Sequence, residues 1–482
     1  MDEIGKIHAH IDNNFQEHLE RTRRNLRIPG VSLTEPLYTN EEVFKSANDL
    51  LNYIKELGPV EAELAETDGY PVVYGRVNSK NPNAKTVILY SLYDLMPADE
   101  PGWKAPPFAA EILDAEEIGL PAFYGKCIVS RGARNQRGPN MGFINALKSI
   151  KEVTGDIPVN VIFAVEGEEE LASPHLPQFR DRYMDKLKGA DGCFYPNPST
   201  DYYGRHHVIL GYRGLIALEL QVKGGDWGGP AERSLFSAED HMVDAPAWRL
   251  VWALNSLRGP DDKIAIEGFY DDVRPWTEEE REMVEKLKKL FDEEVYKRER
   301  GVKKLKRGLP GIKLYESYLM DPRLNINGYS SGYTGPAIKT SFPDSAKAKI
   351  DIRLVPNMLA DDILRKLRRH LDKHGFPEVE IKVQASYGWV RTSIKSEIVQ
   401  AALRAADRHG VESICHPLYF GSTPSVVFGG PPLNIPCVSA GLGRMGRPHE
   451  ANEYITVEGL REFEKYVVTF LYEYAKAGAK KG

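Results

Sequence analysis

Carboxylates, a histidine and arginines able to move protons or hold ions are gathered in four short segments of this chain. They are Tyr90-Ser-Leu-Tyr-Asp-Leu-Met-Pro97, Ser130-Arg-Gly-Ala-Arg-Asn-Gln-Arg-Gly138, Glu166-Gly-Glu-Glu-Glu170 and Arg447-Pro-His-Glu-Ala-Asn-Glu453. Two of them directly follow apolar runs. Asp94 comes after Thr86-Val-Ile-Leu-Tyr90, and Glu168-Glu169-Glu170 comes after Pro158-Val-Asn-Val-Ile-Phe-Ala-Val165. Such runs read as buried strands, and in α/β folds functional groups collect beyond the carboxyl ends of strands. Adjacent carboxylates packed against a core are raised in pKa and destabilise the fold. A pocket that uses them is one reading of the pattern, and a solvated loop is the other.

The elements that must position these groups follow from the apolar pattern. From about residue 40 to residue 200, apolar runs alternate with helical stretches such as Met141-Gly-Phe-Ile-Asn-Ala-Leu-Lys148, which predicts a buried α/β sheet. The texture changes near Tyr212-Arg-Gly-Leu-Ile-Ala-Leu-Glu-Leu-Gln-Val222, a strand with polar interruptions. A charged helix from Thr277 to Arg307 and a second strand from Ala346 to Leu354 follow it. The order predicts an α+β insert over residues 211–383, interrupting an α/β domain made of residues 1–210 and 384–482. Beyond the insert, Ile394 to His409 reads as an amphipathic helix, Ile435 to Gly441 as a short strand and Val457 to Ala477 as a closing helix. The run from Lys286 to Arg300 reads as a solvated helix face.

Composition narrows the partners. The 482 residues, 42% hydrophobic and 27% charged, are enough to bury a large core in two or three domains. The net charge of -6 comes from 63 basic and 69 acidic residues spread along the chain, so no basic tract points to nucleic acid and a small-molecule partner is expected. The N-terminus lacks a charged n-region followed by an apolar run, and no later segment is apolar enough to span a bilayer. A cytoplasmic location without a membrane partner is the expectation. Cys127, Cys193, Cys415 and Cys437 are widely spaced and form no CxxC pair, so they read as core thiols.

The four segments, with Trp103-x-x-x-Pro-Phe108, Tyr124-Gly125, Tyr212-Arg-Gly214, Pro322-Arg-Leu-Asn-Ile-Asn-Gly328, Gly332-Tyr-Thr-Gly-Pro336 and Asp351-Ile-Arg-Leu-Val-Pro356, resemble the zinc aminoacylase and carboxypeptidase family. Carnosine dipeptidases, acetylornithine deacetylases and succinyl-diaminopimelate desuccinylases belong to it, and the likeness is strongest to the dipeptidase branch. It spans roughly residues 15 to 475. The resemblance implies an α/β zinc-peptidase-like catalytic domain with an inserted ferredoxin-like α+β lid through which a homodimer forms. It places the first metal-binding His on Leu92, the bridging Asp on Asn135 and the second-site Asp on Asn197. Retained are Glu170 and His449 at ligand positions, Asp94 as support for the first His, and Glu169 as general base. Arg137 stands where the family commonly has Lys, Arg353 matches a substrate-binding Arg of the lid, and Tyr419-Phe-Gly-Ser-Thr-Pro424, with Ser422, resembles the glycine-serine substrate loop. Leu418 stands where dipeptidases have Arg, which argues against dipeptide recognition. The lid His that reaches a neighbouring subunit's site falls near Gly228.

These departures set the expected chemistry. Zinc sites need about three ligands drawn from His, Cys, Asp or Glu, and Leu92, Asn135 and Asn197 are poor substitutes, so no intact dinuclear centre is expected. At most one divalent ion such as zinc or manganese would bind, held by Glu170, His449 and the Asn135 carbonyl. Changing Asp to Asn removes charge while keeping shape, as a pocket requires once no cation compensates buried carboxylates. Two neighbouring carboxylates such as Glu169 and Glu170 then repel, which raises at least one pKa toward neutrality, and His449 titrates near pH 7. Arg134, Arg137 or Arg353 would pair with a substrate carboxylate. The expectation is an enzyme acting on a small carboxylate-bearing amide or amino-acid derivative. A metal-independent proton-transfer enzyme (decarboxylase, racemase or lyase) and an inactive scaffold are the alternatives.

Overall fold

The computed structural model describes residues 2–33 and 38–476; Ala477, the expected end of the closing helix, lies outside the described residues. Eight strands form the main sheet in the order Glu61–Ala65, Val72–Val77, Asn160–Glu166, Thr86–Leu92, Gly192–Pro196, Cys437–Ala440, His206–Ile209 and Ser413–His416. Every residue of Thr86–Leu92 is buried, which explains why that run is apolar throughout rather than alternating. It lies parallel to both Asn160–Glu166 and Gly192–Pro196. Parallel pairing sends the loops after these strands out of the same edge, and Leu92 stands directly opposite Glu166. The sheet thereby sets Asp94 beside Glu168–Glu170.

Helices Glu3–Leu26, Arg137–Thr154 and Val457–Lys476 contact one another, and their buried side chains join the core that covers the sheet. In the first of these, Ile7, Ile11, Phe15 and Leu19 are buried at helical spacing. A second core belongs to the insert. Its four antiparallel strands lie in the order Arg323–Ser331, Ser345–Leu354, Gly211–Lys223 and Glu380–Tyr387. Helices Pro246–Ser256 and Ala360–Lys373 complete a strand-helix-strand-strand-helix-strand succession, the ferredoxin-like arrangement. The strand Gly211–Lys223 also pairs with Val390–Arg391 and Tyr419–Ser422, which ties the insert to the chain that returns from it.

The charged helix expected from Thr277 to Arg307 is broken into Glu278–Leu290 and Glu293–Glu299. Phe291 leaves the helix with φ -72 and ψ 120, and its ring stacks on Tyr315 at 4.4 Å between centroids. Asp292 then restarts a helix, its carboxylate accepting from the N–H groups of Glu294 and Val295. The edge strand Arg323–Ser331, which was not among those expected, is largely exposed, with Leu324 its one buried residue. Among the described residues no helix is long and apolar enough to cross a membrane. All four cysteines are free, and Cys127, Cys193 and Cys437 are buried.

Glu280 joins the helix Glu278–Leu290 to the strand after the lid. It closes the capping box with Thr277, and its carboxylate lies 2.6 Å from Arg274 and 3.3 Å from Arg391. Burial raises its pKa, but hydrogen bonds from Arg274 and the Thr277 N–H, with the charges of Arg274 and Arg391, prevail and bring it down to about 2. A carboxylate held below its unfolded value stabilises the fold above that unfolded value, and the gain is lost as pH falls toward the folded one. Glu280→Gln is therefore expected to lower the urea midpoint at pH 7. The gap to the parent should close as the pH is lowered from about 4.5 toward 2, and a constant gap would count against this linkage.

Candidate active site

Asp94 is fully buried. Its carboxylate accepts the Ser32 hydroxyl at 2.8 Å and the backbone N–H groups of Glu169 at 3.2 Å and Glu170 at 3.0 Å. It therefore clamps the turn Glu169–Leu171, which exits through Ala172 and Ser173 at φ 65 and 55. Across the pocket, Asn135 Nδ2 donates to Glu170 Oε1 at 2.7 Å and stands 3.0 Å from His449 Nε2. That imidazole nitrogen is itself 3.1 Å from Glu170 Oε1. His449 sits in a loop where Arg447, His449 and Asn452 all have left-handed backbone, at φ 58, 60 and 60. Each such residue costs about 1–3 kcal/mol and persists where surrounding structure enforces it, most often at functional sites.

Burial dominates the electrostatics. It pushes Asp94 up to about 6 against the opposing hydrogen bonds from Ser32, Glu170 and Glu169. Glu169 is raised well above an ordinary carboxyl by burial, then by the charges of Glu170 and Asp94, with Arg134 pulling the other way. Glu170 is raised by burial, Asp94 and Glu453, and is opposed by Arg131 and the Asn135 hydrogen bond. Burial also lowers the His449 pKa, partly offset by Glu453 and Asp94. Burial and the charges of neighbouring carboxylates thus act in the same direction on Glu169 and Glu170, against the ionised form. Glu166 and Glu168 are buried as well. Tyr90 donates its hydroxyl to Glu166 at 2.7 Å, and Glu168 pairs with His175 at 2.8 Å, so the solvated-loop reading does not hold here.

The arginines divide by role. No hydrogen bond or ion pair engages the Arg134 guanidinium among the described residues, and its charge acts on Glu169, Tyr195 and Tyr212. Arg353 Nη1 donates to Ser422 Oγ at 2.9 Å, while its Nε pairs with Asp351 at 2.8 Å. Tyr387 lies within reach of the charges of both Glu169 and Arg353. Arg137 is different. It is 1% exposed and donates to the backbone carbonyls of Tyr93 (2.8 Å), Asn25 and Ile28, so the substrate contact expected of it is corrected to a positioning role. Asn197 is buried after the strand Gly192–Pro196, and the Gln136 side chain donates to the Pro196 carbonyl at 2.6 Å, which keeps the two loops in contact.

Glu453 and Arg131 hold the loop that carries Arg134 and Asn135. Glu453 is wholly buried; one of its oxygens accepts the N–H groups of Arg134 (2.9 Å) and Asn135 (2.7 Å), and the other pairs with Arg131 at 2.9 Å. Arg131 also lies over the Trp103 ring at 5.4 Å. The segments Ser130–Gly138 and Arg447–Glu453 carry these residues, but nothing in their spacing shows the pairing. Near the lid position expected to lack a histidine, Gly228 has φ 123, and a Cβ there would come 2.7 Å from an Asp244 carboxylate oxygen.

Leu92 and Asn135 stand at two of the positions that the resemblance assigns to metal ligands. Leu92 is fully buried and offers no donor atom, and the Asn135 amide nitrogen already donates to Glu170. Among the described residues no group of three or more His, Cys, Asp or Glu is arranged to hold an ion. Fold and site together nevertheless define an α/β hydrolase scaffold of the aminoacylase and carboxypeptidase type. The model of peptidase family M20/M25/M40 matches residues 88–473, and the chain belongs to that family. Cys-Gly metallodipeptidase dug1 of Schizosaccharomyces pombe is 26% identical over 393 residues, covering 77% of this chain and 76% of its own. Beta-Ala-His dipeptidase of Homo sapiens is 26% identical over 392 residues, covering 77% and 71%. Among solved structures, the M20 family metallo-carboxypeptidase Sso-CP2 from Sulfolobus solfataricus is similar at 33% identity and TM-score 0.85, covering 95% of this chain and 99% of its own.

Without the Glu453 charge, Arg131 remains paired with Glu100 at 2.5 Å, so the loss is that of hydrogen bonds to a charged group, about 1.5–3 kcal/mol. Glu453→Gln is expected to destabilise the protein by that order in urea unfolding. A change under about 0.5 kcal/mol, the ordinary scatter of surface substitutions, would show that Arg131 does not depend on it.

Proposed function

We propose that this chain hydrolyses, or otherwise transforms by proton transfer, a small amide or amino-acid derivative bearing a carboxylate, without a dinuclear zinc centre. The observation that carries the reading is the Asn135 amide, bonded to Glu170 and set against His449 at the position the family resemblance assigns to the bridging ligand. Arg353 with Ser422 binds the substrate carboxylate from the lid, and Arg134 faces the reacting carbonyl and stabilises its developing negative charge. Glu169, in its ionised form, takes a proton from water as the oxygen attacks the amide carbon. The same proton then passes to the departing nitrogen as the C–N bond breaks. Asp94 and Glu170 keep Glu169 basic enough for this through their charge. A single ion held by Glu170, His449 and Asn135 would require the amide to be reversed, with Oδ1 in place of Nδ2.

Three further readings belong to the same proposal. Residues 211–383 act as a lid on a catalytic domain of residues 1–210 and 384–482, and a homodimer forms through that lid, where the stacked Trp248 and Trp252 rings are about half exposed. Four free thiols suit the reducing cytoplasm.

The test combines elemental analysis with turnover of a panel of N-acyl amino acids and dipeptides in excess chelator. Activity is expected to survive chelation, and Glu169→Gln is expected to lower kcat by about 10²–10⁴-fold. About two tightly bound zinc ions per chain, the stoichiometry of a two-metal site, with activity lost on their removal, would overturn the metal-free reading. Asn135→Asp adds a carboxylate beside Glu170 and Glu453. It is expected to cost about 1–3 kcal/mol in chelator, the range for an uncompensated buried polar group, and an unchanged urea midpoint would sink the charge-removal account.

A further inference from the structure

A second cavity, of about 220 Å³, lies in the lid and shares no residue with the catalytic site. Its walls are the rings of Phe291, Tyr296, Tyr315 and Tyr318, with Lys306 and Arg323 among its other lining residues. The rings are already set as stacking surfaces. Phe291 and Tyr315 stack at 4.4 Å, Tyr315 and Tyr318 at 6.1 Å, and Arg300 lies over Tyr296 at 5.3 Å. A dry apolar cavity of about 150 Å³ holds a benzene ring, so this one has room for a larger, fused ring.

The chain beside the cavity is Lys297-Arg-Glu-Arg-Gly-Val-Lys-Lys-Leu-Lys-Arg307, a strongly basic stretch. It leaves the helix Glu293–Glu299 and runs to the cavity wall at Leu305 and Lys306. Lys303 and Lys304 are exposed and make no ion pair among the described residues. Of the acids described beside it, Asp292 caps its helix, Glu293 accepts the Gly311 N–H and pairs with Lys297, and Asp262 pairs with Lys306. Lys306 and Arg323 bring positive charge into an otherwise aromatic lining.

We propose that this cavity binds a small planar aromatic anion, its ring stacked among Phe291, Tyr315 and Tyr318 and its negative group held by the 297–307 loop. Aromatic faces and a cationic rim satisfy the two halves of such a molecule independently. Its placement also gives binding a route to the catalytic pocket. Tyr318 stacks on Phe420 at 5.2 Å, within the strand Tyr419–Ser422 whose Ser422 holds Arg353.

Calorimetric titration of the full chain with adenosine monophosphate and with indole-3-acetate tests this, with adenosine and inorganic phosphate as the halves. At least one of the two aromatic anions is expected to bind ten-fold or more tightly than either half. Adenosine monophosphate alone would identify a nucleotide as the source of the anion, and indole-3-acetate alone an aromatic carboxylate. Leu314→Trp, which fills the cavity, and the surface pair Lys303→Glu with Lys304→Glu are each expected to weaken binding ten-fold or more. The surface pair leaves the cavity walls intact. The proposal is overturned if neither anion binds more tightly than inorganic phosphate, or if binding is undiminished in both variants.

Discussion

Carboxyl groups crowded into one buried pocket are the constraint that shapes this protein. Asp94, Glu169, Glu170, Glu166 and Glu453 all converge beyond the carboxyl ends of the parallel strands Thr86–Leu92 and Asn160–Glu166. A low-dielectric pocket cannot keep them all ionised. The structure answers with hydrogen bonds to Asp94, a full ion pair between Glu453 and Arg131, a neutral amide at Asn135 and raised pKa values at Glu169 and Glu170. The cost of burying these groups is thus shared among backbone N–H groups, Arg131 and the Asn135 amide.

The same constraint explains why the loops around the site are rigidly specified. Asp94 holds the Glu169–Leu171 turn through its backbone, and Glu453 holds the Arg134–Asn135 backbone in the same manner. Each buried acid serves two purposes, because the hydrogen bonds that make its charge tolerable also fix the neighbouring loop. Arg137 does the converse, satisfying carbonyls of Tyr93, Asn25 and Ile28 from the start of its helix. The site's supports are thus drawn from the N-terminal helix, the main sheet and the C-terminal loop together. The lid adds Arg353, tied to the returning chain through Ser422.

Much of the scaffold was legible before folding. The run Thr86–Tyr90 is apolar because its strand is covered on both faces, and the change of texture at Tyr212 marks the first strand of the ferredoxin-like lid. The helix break at Phe291 was not legible, since the charged pattern continues through it, and only the packing of Phe291 on Tyr315 selects the break. The exposed edge strand Arg323–Ser331 was hidden for a related reason: little of it is buried, and its alternation of Leu324 and Ile326 with polar residues stops at Gly328.

By itself the sequence determined the family and the order of the four motif segments, because each of these depends only on residue type and position along the chain. Tertiary structure alone decided which charges are buried and which arginine guanidinium is engaged. Arg134 and Arg137 are three residues apart, yet one faces the pocket unpaired and the other is spent on backbone carbonyls. Asn135 and His449 are 314 residues apart and stand at 3.0 Å. Burial and contact across such separations set pKa and role, and neither quantity is written in local spacing.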